Sequence, residues 1–271
     1  MPELPEVETV RRGIEPHILS RRVTAVRIRE HRLRWPVPRR LGAHLGGRRV
    51  ERVARRAKYL LLDLGGGHLL IHLGMSGSLR ILPHPVPARK HDHVDIEFDN
   101  GTCMRFHDPR RFGSVLWTTR APEQHRLIRT LGPEPLSEDF NGAYLYALSR
   151  GRTVAAKSFL MDSKVVAGVG NIYANESLYR AGIHPTRRAG RIGPQRYDRL
   201  VDAVRDTLND AIARGGSTLR DFVSEDGSPG YFVPLLRVYE RAGQPCNRCG
   251  QEIRRRVIGQ RASYYCAACQ R

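Results

Sequence analysis

Four cysteines and one proline carry the chemistry most directly readable from residue type and spacing. Cys246-x-x-Cys249 and Cys266-x-x-Cys269 are separated by sixteen residues near the C-terminal end, while Cys103 stands alone in a strand-like segment. Each Cys-x-x-Cys turn brings two thiolates to one side, and two such turns at the open end of a hairpin complete a tetrahedral site for one zinc ion. Four protein ligands leave no open position for water, so the zinc is expected to be structural. Paired disulfides are the alternative, disfavoured where thiols are kept reduced. Between the pairs, alternating runs flank Gly259-Gln260, which predicts a β-hairpin with Arg261 just past its tip and Arg254, Arg255 and Arg256 along one strand.

Proline at position 2 permits removal of Met1, which would expose a secondary amine. An α-amino group titrates near ~8 against ~10.4 for lysine, so a useful fraction is neutral and nucleophilic at neutral pH. Such an amine can add to an electrophilic carbon, expel a leaving group and leave an iminium ion, which acidifies the neighbouring C–H and opens a path to β-elimination without a catalytic metal. Glu3, beside that amine, has the chemistry of a general acid/base. The same residues, with Glu6, are also an ordinary helix start, with Pro2 in the first turn and two carboxylates at the positive end of the dipole.

These groups need elements to hold them. Leu4, Val7, Val10 and Ile14 predict a helix over residues 3 to about 14. From Val23 to Trp117 the runs YLLLDL, HLLIHL, SLRIL, HVDIEF and TCMRF read as strands of a sandwich or barrel, broken at Gly65-Gly66-Gly67, Gly74 to Gly77 and Asn100-Gly101. Lys58 leads into YLLLDL and shares parity with Leu60, Leu62 and Leu64, so it is expected at a strand end. Met75 lies between glycines in an expected hairpin turn, and Phe112 follows Asp108-Pro109-Arg110-Arg111; apolar side chains in such loops are either wedges or packed under their own loops. LGPEPLSED, from 131 to 139, breaks the chain, and Leu200, Val204, Leu208 and Ile212 then mark a helix ending before Gly215-Gly216. Gly168-Val169-Gly170-Asn171 leads into a further helix with Asn171 as expected N-cap, an arrangement suited to phosphate or to a hinge. A cleft between the two main domains is the default place for a site.

Over 271 residues, 46 Lys plus Arg stand against 27 Asp plus Glu, a formal charge of +19. That excess attracts polyanions, nucleic acid first. At 40% hydrophobic the chain can build a core. It has no apolar run near the ~20 residues a membrane span needs, and its acidic, proline-rich start is unlike a signal peptide. A soluble, cytosolic protein is the expectation.

PELPE, RRAKYLL, HLGMSG, DPRRFG, GVGNIYANE and the four-cysteine finger, in that order from residue 2 to 271, resemble the bacterial formamidopyrimidine-DNA glycosylase family. The resemblance implies an α+β multidomain fold: an N-terminal helix on a β-sandwich (2–131), a helix-two-turn-helix domain (132–236) and a zinc finger (237–271). It implies excision of oxidised purines such as 8-oxoguanine and formamidopyrimidines from damaged double-stranded DNA, with strand cleavage by β,δ-elimination, in a monomer of the bacterial cytoplasm associated with the nucleoid. By resemblance Pro2 is the Schiff-base nucleophile, Glu3 the acid/base, Lys58 an aid to base release and elimination, and Arg261 is linked to the last elimination. Met75, Arg110 and Phe112 fill the void left by a flipped nucleotide; His91, Arg152, Lys157 and Asn171 grip phosphates; residues 215 to 231 cover the flipped base. His91 and His93 sharing a strand face suggest a metal pair, but without a third ligand a solvated or phosphate-contacting role is favoured. The rival readings are an endonuclease VIII-type enzyme for oxidised pyrimidines, against which Leu4 argues, and a zinc-dependent DNA-binding protein without chemistry.

Overall fold

The computed structural model describes residues 2–215 and 236–271. Two compact units divide the described chain, one built from residues 2–129 and the other from 130–214 with 236–271. The segment expected to cover a flipped base, beyond Gly215, and Met1 both lie outside the described residues.

The first unit opens with helix α1, Leu4–Ile18, which buries Leu4, Val7, Val10, Ile14 and Ile18 along one stripe. Eight strands follow: β1 Val23–Ile28, β2 Arg52–Arg56, β3 Tyr59–Asp63, β4 His68–His72, β5 Ser78–Leu82, β6 Asp92–Phe98, β7 Cys103–His107 and β8 Ser114–Thr118, with the short helix α2 at Leu41–Leu45. They form two four-stranded antiparallel sheets, ordered β1-β6-β7-β5 and β2-β3-β4-β8. Alternation explains the layers: Leu60, Leu62, Leu69 and Ile71 from one sheet and Leu79, Val94, Ile96, Met104 and Phe106 from the other share one core with α1. The expected sandwich is therefore present.

This topology changes one expected feature. β4 and β5 belong to different sheets, so the turn bearing Met75 is a crossover between sheets and not a hairpin. The loop from β7 to β8, which carries Arg110 and Phe112, makes the return crossing. Since β4 pairs with β8 and β5 with β7, the two crossovers run side by side.

In the second unit α3 Gly142–Ser149, α4 Ala156–Met161, α5 Asn171–Arg180 and α6 Pro194–Ala213 pack around Phe159, Leu160, Tyr173, Leu178, Tyr197, Leu200 and Val204. The hairpin β9 Arg254–Ile258 and β10 Arg261–Tyr265 closes the chain. Gly259 and Gln260 take φ of 55° and 61°, the pair of left-handed residues that a tight two-residue turn requires.

Candidate functional site

Pro2 precedes the helix and is not its first-turn proline: Glu3 is the N-cap, and Pro5 takes the first-turn place. Glu3 and Glu6 form a capping box, with Glu3 N donating to Glu6 Oε2 at 2.8 Å. Both carboxylates are buried, Glu3 at 2% and Glu6 at 0% exposure. Position 2 thus stands outside the hydrogen-bonded helix, immediately before an acid fixed by its cap.

Lys58 is placed differently from the strand end its parity suggested. With Ala57 it forms the two-residue turn between β2 and β3, where Arg56 pairs with Tyr59 and Ala57 adopts φ 53°. The hairpin is fastened to α1 by Arg55, whose Nε lies 3.2 Å from Glu8 Oε2. His72, opposite Tyr59 in the next strand, has its pKa pushed down to about 4, first by burial and then by the charges of Lys58 and Arg34. Neutral at physiological pH, its Nδ1 accepts the Gly74 amide proton at 2.9 Å, just before Met75.

Met75 is 37% exposed and Phe112 41%, so neither is packed under its own loop. Arg110 lays its guanidinium over the Phe112 ring, 4.7 Å from the centroid. Gly74 permits this closeness: at φ 65°, a Cβ there would lie 2.4 Å from the Phe112 carbonyl carbon. The fully buried Asp108, which sequence reasoning passed over, joins the two crossovers. Its Oδ1 accepts from Ser76 Oγ at 2.6 Å and its Oδ2 from Gly113 N at 2.8 Å, while Arg110 N donates to Ser76 Oγ at 3.2 Å. The signal for it was present in DPRRFG, but only the crossover topology shows what that carboxylate spans.

His91 precedes β6 rather than sharing its face with His93, and its own φ is 74°. Its pKa is lowered by desolvation and by nearby Lys90, His107 and His93. His93 is buried with Nε2 against the Asp108 carbonyl at 2.8 Å, so the histidines do not make a metal pair. Cys103 is fully buried, and burial followed by the Asp95 charge raises its thiol to about 11, which makes it an inert core residue.

In the second unit Gly170, and not Asn171, is the N-cap of α5. Asn171 is the first helical residue, and its buried Oδ1 has no hydrogen-bond partner among the described residues. Arg152 is exposed in the loop before α4, its guanidinium 5.5 Å from the Phe159 ring. Lys157 departs most from expectation. It is 0% exposed, and Nζ donates to Ala262 O at 2.7 Å and Ser263 Oγ at 2.6 Å, so the finger, not solvent, holds its ammonium. Arg261 is exposed at the start of β10, and Arg254, Arg255 and Arg256 are exposed along β9.

The sulfurs of Cys246, Cys249, Cys266 and Cys269 all lie within 4.8 Å of one another. Cys246 and Cys269 are 3.9 Å apart, Cys249 and Cys266 3.5 Å. A tetrahedron with zinc–sulfur bonds of about 2.3 Å has edges of about 3.8 Å, whereas a disulfide would hold two sulfurs about 2 Å apart. The donor set therefore fits structural zinc. Tyr179 OH lies 3.2 Å from Cys246 Sγ, a contact that supports a thiolate there.

Sequence profiles for the formamidopyrimidine-DNA glycosylase N-terminal domain, the formamidopyrimidine-DNA glycosylase H2TH domain and a zinc finger found in that enzyme and in isoleucyl-tRNA synthetase match residues 1–115, 131–223 and 243–271. Formamidopyrimidine-DNA glycosylases of Methylococcus capsulatus and Stenotrophomonas maltophilia are 61% and 59% identical over 271 residues, covering all of both chains. A crystal structure of the Thermus thermophilus protein superposes with a TM-score of 0.86 at 40% identity over 99% of this chain and 98% of that one. The Lactococcus lactis protein, solved with DNA containing N7-benzyl-Fapy-dG, gives 0.90 at 33% identity over the whole of both. With the sandwich, the helical unit, the four-thiolate finger and the capped Pro2-Glu3 start all in place, this chain belongs to the formamidopyrimidine-DNA glycosylase family.

Proposed function

We propose that the protein is a bifunctional DNA glycosylase and abasic-site lyase of base excision repair, acting on oxidised purines in duplex DNA through a Schiff base on Pro2. The observation that carries this reading is Pro2 standing outside α1 immediately before the buried, capped Glu3. Once Met1 is removed, the secondary amine attacks C1′ and the base departs with the bonding pair. Glu3 handles the protons of the opened sugar, and loss of the C2′ proton from the iminium breaks the C3′–O bond. Lys58, in the two-residue turn between β2 and β3, supplies a cation for base release and elimination. A flipped nucleotide costs a few kcal/mol of unstacking, and Met75, Phe112 and Arg110 replace it in the stack. Arg152, His91 and Asn171 meet the phosphate backbone, and Arg261 assists the second elimination.

The Lactococcus relative's complex with N7-benzyl-Fapy-dG DNA supports a purine-derived lesion as substrate. Three domains, 2–131, 132–236 and 237–271, work on that DNA as one monomer, and we place the protein in the cytoplasm at the nucleoid. Among the described residues no helix is long and apolar enough to cross a membrane.

Borohydride trapping tests the reading. With 8-oxoguanine opposite cytosine, a covalent protein–DNA adduct is expected even in EDTA, strongly reduced in Pro2→Gly and absent from protein that keeps Met1. No adduct with the processed protein would sink the amine mechanism. A clear preference for duplex bearing an oxidised pyrimidine would instead assign the protein to the endonuclease VIII-type branch.

A further inference from the structure

We infer that Lys157 is a positioning residue that fastens the tip of the zinc finger and thereby sets the reach of Arg261, rather than a residue that grips DNA. The inference rests on the assignment of Arg261 to the second elimination.

Lys157 is the second residue of α4, and its ammonium is fully buried. Burying an ammonium is costly unless well-placed acceptors satisfy it. Here the acceptors are the Ala262 carbonyl at 2.7 Å and the Ser263 hydroxyl oxygen at 2.6 Å, both on β10. Ser263, itself 0% exposed, donates its hydroxyl hydrogen bond to the Arg261 carbonyl at 3.3 Å. One buried cation therefore governs two successive carbonyls, those of Arg261 and Ala262. Reaching a phosphate would require Nζ to leave both partners and unseat the strand.

Two further contacts hold the same strand. Tyr264 N donates to Asn175 Oδ1 of α5 at 2.8 Å. At the turn, a Cβ on Gly259 would stand 2.9 Å from Ser158 Oγ, the residue after Lys157, so the tip lies directly on α4. The residue that gains is Arg261: its backbone is tied through Ser263 while the residue itself stays exposed.

Such fixing matters for a step with a separate product. After β-elimination the sugar is a conjugated iminium. A base removes the C4′ proton, the electron pair enters the conjugated system as a dienamine, and it returns to break C5′–O5′, whose pair leaves with the phosphate. Arg261 offers its guanidinium to that departing oxygen. A shift of about 1 Å in such a group can cost about a hundredfold, so loosening the tip should slow the second elimination far more than the first.

The test uses full-length, zinc-loaded protein and an abasic duplex labelled at both ends, reading β- and δ-elimination products together. In Lys157→Met the ratio of δ to β product should fall about tenfold or more, with partial recovery in Lys157→Arg and a smaller fall in Ser263→Ala. The slope of log Kd against log salt should stay that of the parent. A slope reduced by about one with an unchanged product ratio would make Lys157 a phosphate contact and overturn the inference. If Lys157→Met does not retain zinc, Ser263→Ala decides, and an unchanged ratio there overturns it. Arg261→Ala separates the two assignments. If it keeps normal δ-elimination, the role of Arg261 is wrong, and amide exchange over residues 258–264 in Lys157→Met still decides the fastening: faster exchange supports it, parental exchange overturns it.

Discussion

Asp108 shows how much of the site depends on a single side chain. It is fully buried, and its two oxygens accept from Ser76 and Gly113, the neighbours of Met75 and Phe112 in the two crossovers. Met75 and Phe112 both stand more than a third exposed, and the Arg110 guanidinium lies over the Phe112 ring. The backbones that carry them are tied together by Asp108. Replacing Asp108 by Ala leaves two donors without their acceptor, which costs about 1–3 kcal/mol for each buried group left unpaired. Ser76→Ala removes only one of the bonds. We expect both variants to lose affinity for an abasic-analogue duplex more than for undamaged duplex, Asp108→Ala more severely and with a lower urea midpoint. Equal losses on the two duplexes would mean the carboxylate serves stability alone.

The elements themselves were largely legible. The α1 stripe and the runs that became β3 to β7 were visible as periodicities because each presents apolar residues at a regular spacing to one core. Periodicity cannot say which strand joins which sheet, so the Met75 loop read as a hairpin although β4 and β5 lie in different sheets. It also placed Lys58 at a strand end, because strand parity runs unbroken into a two-residue turn; what makes the turn is the positive φ of Ala57, a residue with no turn signature. Asn171 looked like an N-cap by residue type, yet the extended residue ahead of the helix is Gly170. For Lys157 the resemblance pointed to phosphate, and its partners lie more than a hundred residues away, beyond any local pattern. The zinc finger was the most readable element, because metal geometry fixes the spacing directly. Among the described residues its buried core is small, Val238, Ile253, Cys246 and Cys266 against Tyr179 of α5, and an isolated two-stranded hairpin is marginal in water. Cys249→Ala, or chelation, should therefore unfold β9 and β10 and weaken duplex binding while the sandwich keeps its unfolding transition. Zinc content, hydrogen exchange and Kd measured on the same samples check this, and tight binding by the zinc-free protein would contradict it.

At the scale of the whole molecule, recognition on the proposed reading is divided between the charge of +19 and the apolar pair Met75 and Phe112. Several carboxylates are already committed internally: Glu8 to Arg11, Arg12 and Arg55, Asp95 to Arg29 and Arg105, and Asp206 and Asp210 to Arg180. The arginines of β9 are exposed, and among the described residues none of these ion pairs involves them. Binding through about six to ten phosphates loses roughly 10³–10⁵ in affinity between 50 and 200 mM salt by counterion release. That loss is indifferent to sequence and to damage. On the proposed reading, discrimination comes from Met75, Phe112 and a neutral amine, none of which would release a counterion on engaging. Titrations on undamaged and abasic-analogue duplex across that salt range should therefore give two steep, parallel lines of log Kd against log salt, with a constant ratio between them. A ratio that collapsed as salt rose would move discrimination onto charged contacts and leave the apolar wedge without its role.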